Sequence, residues 1–188
     1  MKKYNWGIIG TGNIACSFAE SLSRVNGEIY GAYNRHLEKA QVFAEKYRVM
    51  HVYENLDNLL NDKNIDIIYV STPHNAHYEM IIKALKAHKH VLCEKAITVN
   101  DRQLEEAVAI AKENQLILME AMTIYHMPLY KQLREIIDSG KIGKVKMIQV
   151  NFGSCKEYDV HNRFFSKELA GGALLDIGVY ATAFARYF

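Results

Sequence analysis

Short apolar runs alternate with amphipathic stretches over the first 120 positions. Residues 4–9 read as a buried strand, after which Ile14, Phe18, Leu22 and Val25 recur at helical spacing and Gly27 is expected to end the helix. Residues 28–33 predict a second strand, and residues 36–47 a helix with Ala40, Phe43 and Ala44 on its inner face. Asn55 or a neighbour is expected to cap a short helix carrying Leu56, Leu59 and Leu60. Residues 65–70 are almost continuously apolar, as in a strand of a parallel sheet covered on both faces. They run into a polar loop at 71–77, a helix over 78–87, a strand at 90–93, a helix over 101–113 with Leu104, Val108 and Ala111 inward, and a strand at 116–120. Five such alternations predict an α/β fold with a doubly wound parallel sheet.

Beyond Glu120 the pattern changes. Pro128 is expected to open a helix bearing Leu129, Leu133, Ile136 and Ile137, with Gly140 stopping it. Residues 144–152 alternate polar and apolar positions, with a slip near Met147 and Ile148, and predict one long strand. A single alternating strand cannot bury a face, since three or more are needed. The expected division is therefore a first domain over 1–121 and the incomplete beginning of a second over 122–188. The chain is expected to be a fragment of a longer protein, with completion by another subunit as the alternative.

Composition narrows the class. The 188 residues are 49% apolar and 23% charged, with a formal net charge of +2, which gives no reason to expect nucleic acid or an acidic membrane as partner. Lys2 and Lys3 precede an apolar run too short for a secretion signal, and no segment is expected to reach the ~20 apolar residues of a membrane span. Cys16, Cys93 and Cys155 are odd in number and widely spaced, which suggests reduced, mostly buried thiols in a cytoplasmic protein.

Candidate chemistry begins at Gly10-Thr11-Gly12-Asn13-Ile14-Ala15. Gly10 and Gly12 lack Cβ atoms, so the backbone can turn sharply and admit a diphosphate, which the amides opening the next helix would hold. The motif follows a strand and opens a helix, the context a dinucleotide site requires. An NAD site usually carries an acidic residue about 20 positions later, to bond the ribose 2′-hydroxyl. Tyr33-Asn34-Arg35 stands there instead, and a guanidinium suits a 2′-phosphate, so NADP is favoured over NAD. The alternative is that Arg35 is a solvated charge. Thr72, Pro73, Asn75 and His77 lie in the loop expected at the carboxyl end of a strand, where ligands bind in open α/β sheets. His77 is expected to line the cofactor pocket or to cap the following helix.

Glu94-Lys95 ends another strand, and a partly buried lysine amine loses its proton more readily than an exposed one. Asp176 and Tyr180 are four apart, so on a helix they address one place together, and a tyrosine hydroxyl near an ammonium makes a plausible acid/base pair for a substrate alcohol. His74 and His77 have no partner at ligand-like spacing, so no metal site is expected. Cys93 is expected to pack in its strand.

Three ordered motifs carry a resemblance: Gly-Thr-Gly-Asn-Ile-Ala at the start, Glu94-Lys95 after Val-Leu-Cys, and Gly-Gly-Ala-Leu-Leu-Asp-Ile-Gly-Val-Tyr over 171–180. Together they resemble the Gfo/Idh/MocA oxidoreductases, and Met119-Glu120-Ala121-Met122 resembles the branch holding trans-1,2-dihydrodiol and NADP-linked xylose dehydrogenases. The family's usual Glu-Lys-Pro is Glu94-Lys95-Ala96 here, which frees the φ angle after the lysine. The resemblance implies an N-terminal Rossmann domain, and a C-terminal α/β domain whose large, mostly antiparallel sheet often mediates homo-oligomers. It also implies that Lys95 and Tyr180 act at a substrate hydroxyl while Asp176 orients a sugar, polyol or cyclic diol. The expected activity is hydride transfer between NADP, or NAD, and a hydroxyl-bearing carbon. The rivals are a glycosidase using tightly bound NAD and a dinucleotide-sensing regulator. In calorimetric titrations of the full-length protein, NADP is expected to bind more tightly than NAD, and Arg35→Ala to erase most of the difference; equal binding by the unmodified protein would overturn the Arg35 argument.

Overall fold

A computed structural model describes residues 3–25 and 27–188; Lys2, weighed above as part of a leader, lies outside them. The chain forms two compact units, Met1–Glu120 and Ala121–Phe188. The first runs β1 (Tyr4–Ile9), α1 (Asn13–Leu22), β2 (Gly27–Tyr33), α2 (Leu37–Tyr47), β3 (His51–Tyr53), α3 (Leu56–Asn61), β4 (Ile67–Val70), α4 (His74–Lys86), β5 (His90–Cys93), α5 (Asp101–Glu113) and β6 (Leu118–Glu120). The strands form one sheet in the order β3-β2-β1-β4-β5-β6, and every pairing is parallel. This is the doubly wound α/β fold of dinucleotide-binding domains.

Alternate residues of the central strands serve opposite faces. Ile8 and Tyr69 pack with Ala15, Ala19, Ala32 and Phe43 on one side. Ile9, Ile68 and Val70 pack on the other with Leu59, Ile81, Leu85 and Ala107. Covered on both faces, these strands need apolar side chains at every position, which is why 65–70 reads as a continuous run.

Helix boundaries depart from expectation in two places, and one buried face is shifted. Helix α1 ends at Leu22, and Gly27 instead opens β2. Its buried stripe is Ala15, Ala19 and Leu22, whereas Ile14 and Val25 are exposed. Small alanines let the helix backbone lie close to the sheet, so the inward face turns by one position. Helix α4 begins at His74, with Pro73 before it at φ −60°, a geometry that leads directly into a helix. The polar loop is accordingly shorter than predicted. Asn55 does cap α3, its Oδ1 accepting from the Asp57 N–H at 2.7 Å. The three residues of β3 were too few for periodicity to announce.

In the second unit, α6 (Pro128–Asp138) starts on its proline as expected. A single π turn (Leu174–Gly178) leads into α7 (Val179–Tyr187). Tyr130 of α6 meets Phe184 edge-on at 5.7 Å, and Phe184 lies 4.8 Å from the Phe188 ring. Residues 144–152 do not form the predicted strand, and no antiparallel sheet occurs among the described residues. An alternating segment needs neighbours to accept its ladder bonds, and none is paired with it, so Met147 and Phe152 stay exposed. By length and composition the stretch Lys167–Tyr187 could cross a membrane, contrary to expectation. Gly172, at φ +118°, interrupts it, and Asp176 lies inside it. Of the thiols, Cys93 is buried as expected, Cys16 is half-buried and Cys155 is exposed.

Ile68 is fully buried in the sheet, so Ile68→Ala is expected to lower unfolding free energy by about 2–5 kcal/mol in urea titration. Val25→Ala, at a position 65% exposed, should stay within about 0.5 kcal/mol.

Candidate active site

Strands β1, β4 and β5 are neighbours running parallel, so the loops that follow them emerge at one end of the sheet. The winding reverses between β1 and β4, which opens a crevice at their carboxyl ends. Gly10 lies at the rim with φ +91°, a backbone region that side chains disfavour. Its N–H donates to the Tyr33 carbonyl at 2.9 Å, and its own carbonyl accepts from Ser71 Oγ at 2.8 Å. An added Cβ would sit 2.9 Å from the Ser71 carbonyl oxygen, so this position is closed to any side chain.

Gly12 differs. A Cβ there would meet nothing within 4 Å, and α1 begins without a side-chain cap. The first amides of α1, from Asn13 and Ile14 onward, therefore face an open approach, as an anion-binding helix N-terminus requires. Thr11 Oγ1 accepts from Asn34 Nδ2 at 2.8 Å, while Asn34 Oδ1 accepts from the His36 N–H at 3.0 Å. The first of these bonds pins the end of β2 to the glycine loop and the second turns the chain locally, with Arg35 exposed between Asn34 and His36.

On the β4 side, Pro73 and Asn75 are exposed. The Thr72 hydroxyl is shut away from solvent without a hydrogen-bond partner. His77 is fully buried within α4, so it neither lines an open pocket nor caps the helix. Its Nδ1 lies 2.8 Å from the Ala96 carbonyl and its Nε2 lies 2.7 Å from the Thr72 carbonyl. Burial lowers the His77 pKa, against the opposing pull of those two carbonyls. His74 is also buried, with Nε2 3.1 Å from the Lys95 carbonyl.

The loop after β5 carries Glu94 and half-buried Lys95, and the Lys95–Ala96 peptide is cis. The Tyr69 hydroxyl donates to Glu94 Oε1 at 2.6 Å, and the Ile97 N–H donates to Glu120 Oε1 at 2.9 Å. Phe18 of α1 stacks on Tyr69 at 4.0 Å, so the residue orienting Glu94 is itself clamped by the helix that follows the glycine turn. Burial, then the Glu94 and Glu120 charges, push the Cys93 thiol well up, away from nucleophilic character.

In the second unit Asp176 sits in the π turn, largely covered, with Arg163 Nη1 3.8 Å from its Oδ1. The Tyr180 ring meets Phe152 edge-on at 5.9 Å. Sequence reading missed Tyr69, Glu120 and Arg163. Tyr69 alone carried a signal, a hydroxyl inside an aliphatic strand that must find a partner.

A glycine turn of this geometry at the reversal of a parallel sheet defines a dinucleotide-binding domain. The model of the oxidoreductase family with an NAD-binding Rossmann fold matches residues 4–122, and that of the GFO/IDH/MocA C-terminal domain matches residues 130–188. The chain belongs to the Gfo/Idh/MocA oxidoreductase family. It is 38% identical over 182 residues to trans-1,2-dihydrobenzene-1,2-diol dehydrogenase of Xenopus laevis, a match that covers 95% of this chain and 54% of the relative. It is 37% identical over 197 residues to D-xylose 1-dehydrogenase (NADP(+)) of Hypocrea jecorina, covering 93% of this chain and 50% of that one. A 3-ketoreductase from Actinomadura kijaniata, solved with NADP and TDP-benzene, superposes with a TM-score of 0.82 at 31% identity, covering 95% of this chain and 55% of that one. The chain thus spans about half the length of the curated relatives it matches.

Burial, and then the Glu94 charge and hydrogen bond, hold the Tyr69 pKa far above its ordinary value. A raised pKa in the folded state means stability that is full below about pH 10 and lost as pH rises further. Tyr69→Phe is therefore expected to flatten the alkaline fall in stability by up to about 1.4 kcal/mol per pH unit, measured as urea midpoints between pH 9 and 11.

Proposed function

We propose that this chain carries the dinucleotide site of an NADP-dependent dehydrogenase acting on a hydroxyl-bearing carbon of a sugar, polyol or cyclic diol. The observation that carries the reading is the convergence, at one end of the sheet, of an open glycine turn with a lysine-bearing loop. Gly10, Thr11, Gly12, Asn13 and Ile14 would hold the diphosphate. Asn34 and Arg35 would take the ribose with its 2′-phosphate. Thr72, Pro73, Asn75 and His77 belong to the loop and helix start flanking the nicotinamide side, with Glu94 and Lys95 opposite. The Thr72 hydroxyl supports this, because an unpartnered buried hydroxyl costs roughly 1–3 kcal/mol that a ligand group could offset.

A bound nicotinamide supplies the hydride acceptor. Lys95 and Tyr180 would relay the hydroxyl proton as the carbonyl forms, so alcohol and NADP+ give carbonyl, NADPH and one proton. Asp176 would orient the substrate hydroxyls. The roles of Tyr180 and Asp176 rest on the family resemblance. Residues 1–121 would then be the cofactor domain of a cytoplasmic homo-oligomer, and 122–188 the beginning of a substrate domain with a mostly antiparallel sheet. The dehydrogenases of Xenopus laevis and Hypocrea jecorina, named for a diol and for xylose, support the substrate class.

The test is NADPH absorbance with the full-length protein and a panel of sugars, polyols and cyclic diols. Reduction of NADP is expected, with kcat falling about 10²–10⁴-fold in Lys95→Ala. Glycoside cleavage without net reduction, or cofactor binding with neither reaction, would overturn it.

A further inference from the structure

We infer that Glu120 is a positioning residue for the reaction: it clamps the segment 93–97 at both ends and so fixes the backbone that carries Lys95. The inference rests on the dehydrogenase reading above.

Glu120 closes β6 at the edge of the sheet, and its backbone pairs with Cys93, the last residue of β5. Its side chain reaches past the end of β5, where Oε1 accepts from the Ile97 N–H at 2.9 Å. One residue therefore holds the lysine loop where it leaves the sheet and again two positions after Lys95, which lies at the midpoint of the span. The chain on either side is fixed independently. Before Lys95, the Glu94 N–H donates to the Val70 carbonyl at 2.9 Å. Beyond Ile97, the Thr98 hydroxyl donates to the Asn100 carbonyl at 2.9 Å, and Asn100 caps α5, its Oδ1 accepting from the Gln103 N–H at 3.0 Å. Without the Glu120 carboxylate the Ile97 amide would lose this partner, and the turn bearing Lys95 could shift between those two fixed points. A hydrogen bond to a carboxylate is roughly twice as strong as one between neutral groups, which suits a clamp on a residue that must stay in register with a substrate hydroxyl.

Reach and charge can be separated at this position, which is half-buried on an edge strand. Glutamine keeps the length of the side chain and an acceptor oxygen but loses the charge. Aspartate keeps the charge but ends about 1.5 Å short, beyond hydrogen-bond distance of the Ile97 N–H. In the full-length protein, with NADP and an alcohol that the substrate panel finds active, Glu120→Asp is expected to lower kcat about 10- to 100-fold. KM for NADP should stay within about threefold, because the diphosphate is held at the glycine turn. Glu120→Gln is expected to keep kcat within about threefold of the unmodified protein, with its pH profile unshifted. A larger loss in the glutamine variant than in the aspartate variant would mean that the charge acts and the clamp does not. Equal effects in the two, or a rise in KM without a fall in kcat, would also overturn the assignment.

Labelling of the Lys95 amine by trinitrobenzenesulfonate, followed by peptide mapping, reads the clamp without catalysis. A rate about tenfold faster in Glu120→Asp than in the unmodified protein, with Glu120→Gln unchanged, supports the inference, and equal rates in the two variants overturn it. That measurement stands even if the unmodified protein reduces no cofactor, a result that would sink the dehydrogenase reading instead.

Discussion

Strands β1 and β4 lie side by side, yet the chain leaves them in opposite directions, toward β2 on one side and β5 on the other. No connection can cover the sheet end between them, so a crevice opens there. The reversal is possible because both strands are apolar on both faces, so each can sit mid-sheet under helices on either side. The buried pair Ile8 and Tyr69 on one face, with Ile9, Ile68 and Val70 on the other, thus fixes where ligand chemistry can occur. The glycine turn, the Asn34 pin and the lysine loop are all placed by this arrangement.

The rim is held by hydrogen bonds more than by apolar contact. Ser71 and Asn34 tie their loops to the glycine turn, while His74, His77 and Glu120 hold the backbone from Lys95 to Ile97. Tyr69 orients Glu94 from within the sheet and is stacked by Phe18 of the helix that would bind phosphate. Loops fixed in this way lose little further freedom when a ligand arrives, which favours binding of an extended cofactor.

The second unit follows a different logic. Its helices pack on one another through Tyr130, Phe184 and Phe188, while the alternating stretch over 144–152 leaves large apolar side chains in solvent. An alternating strand encodes one buried face and one wet face, and it takes that form only when other strands complete the sheet. The sequence pattern at 144–152 therefore describes a requirement that the described residues do not meet.

Local rules carried much of the reading. The periodic apolar runs announced β1, β4 and β5, the Asn55 cap and the Pro128 start followed from single-residue chemistry, and Gly10 was marked by the only backbone geometry that fits its turn. What stayed hidden depended on contacts across long stretches of chain. Ile14 and Ala15 differ by one position, and only the sheet's surface decides which faces inward. His77 looked like a pocket or capping residue until carbonyls from two loops closed on its ring, and Tyr69 met Glu94 from 25 positions away. Periodicity records which side of an element avoids water, and so it determined the alternating fold and the glycine turn. Which polar atoms meet is settled by strand order and loop path, and so the hold on Lys95 was decided by the tertiary structure alone.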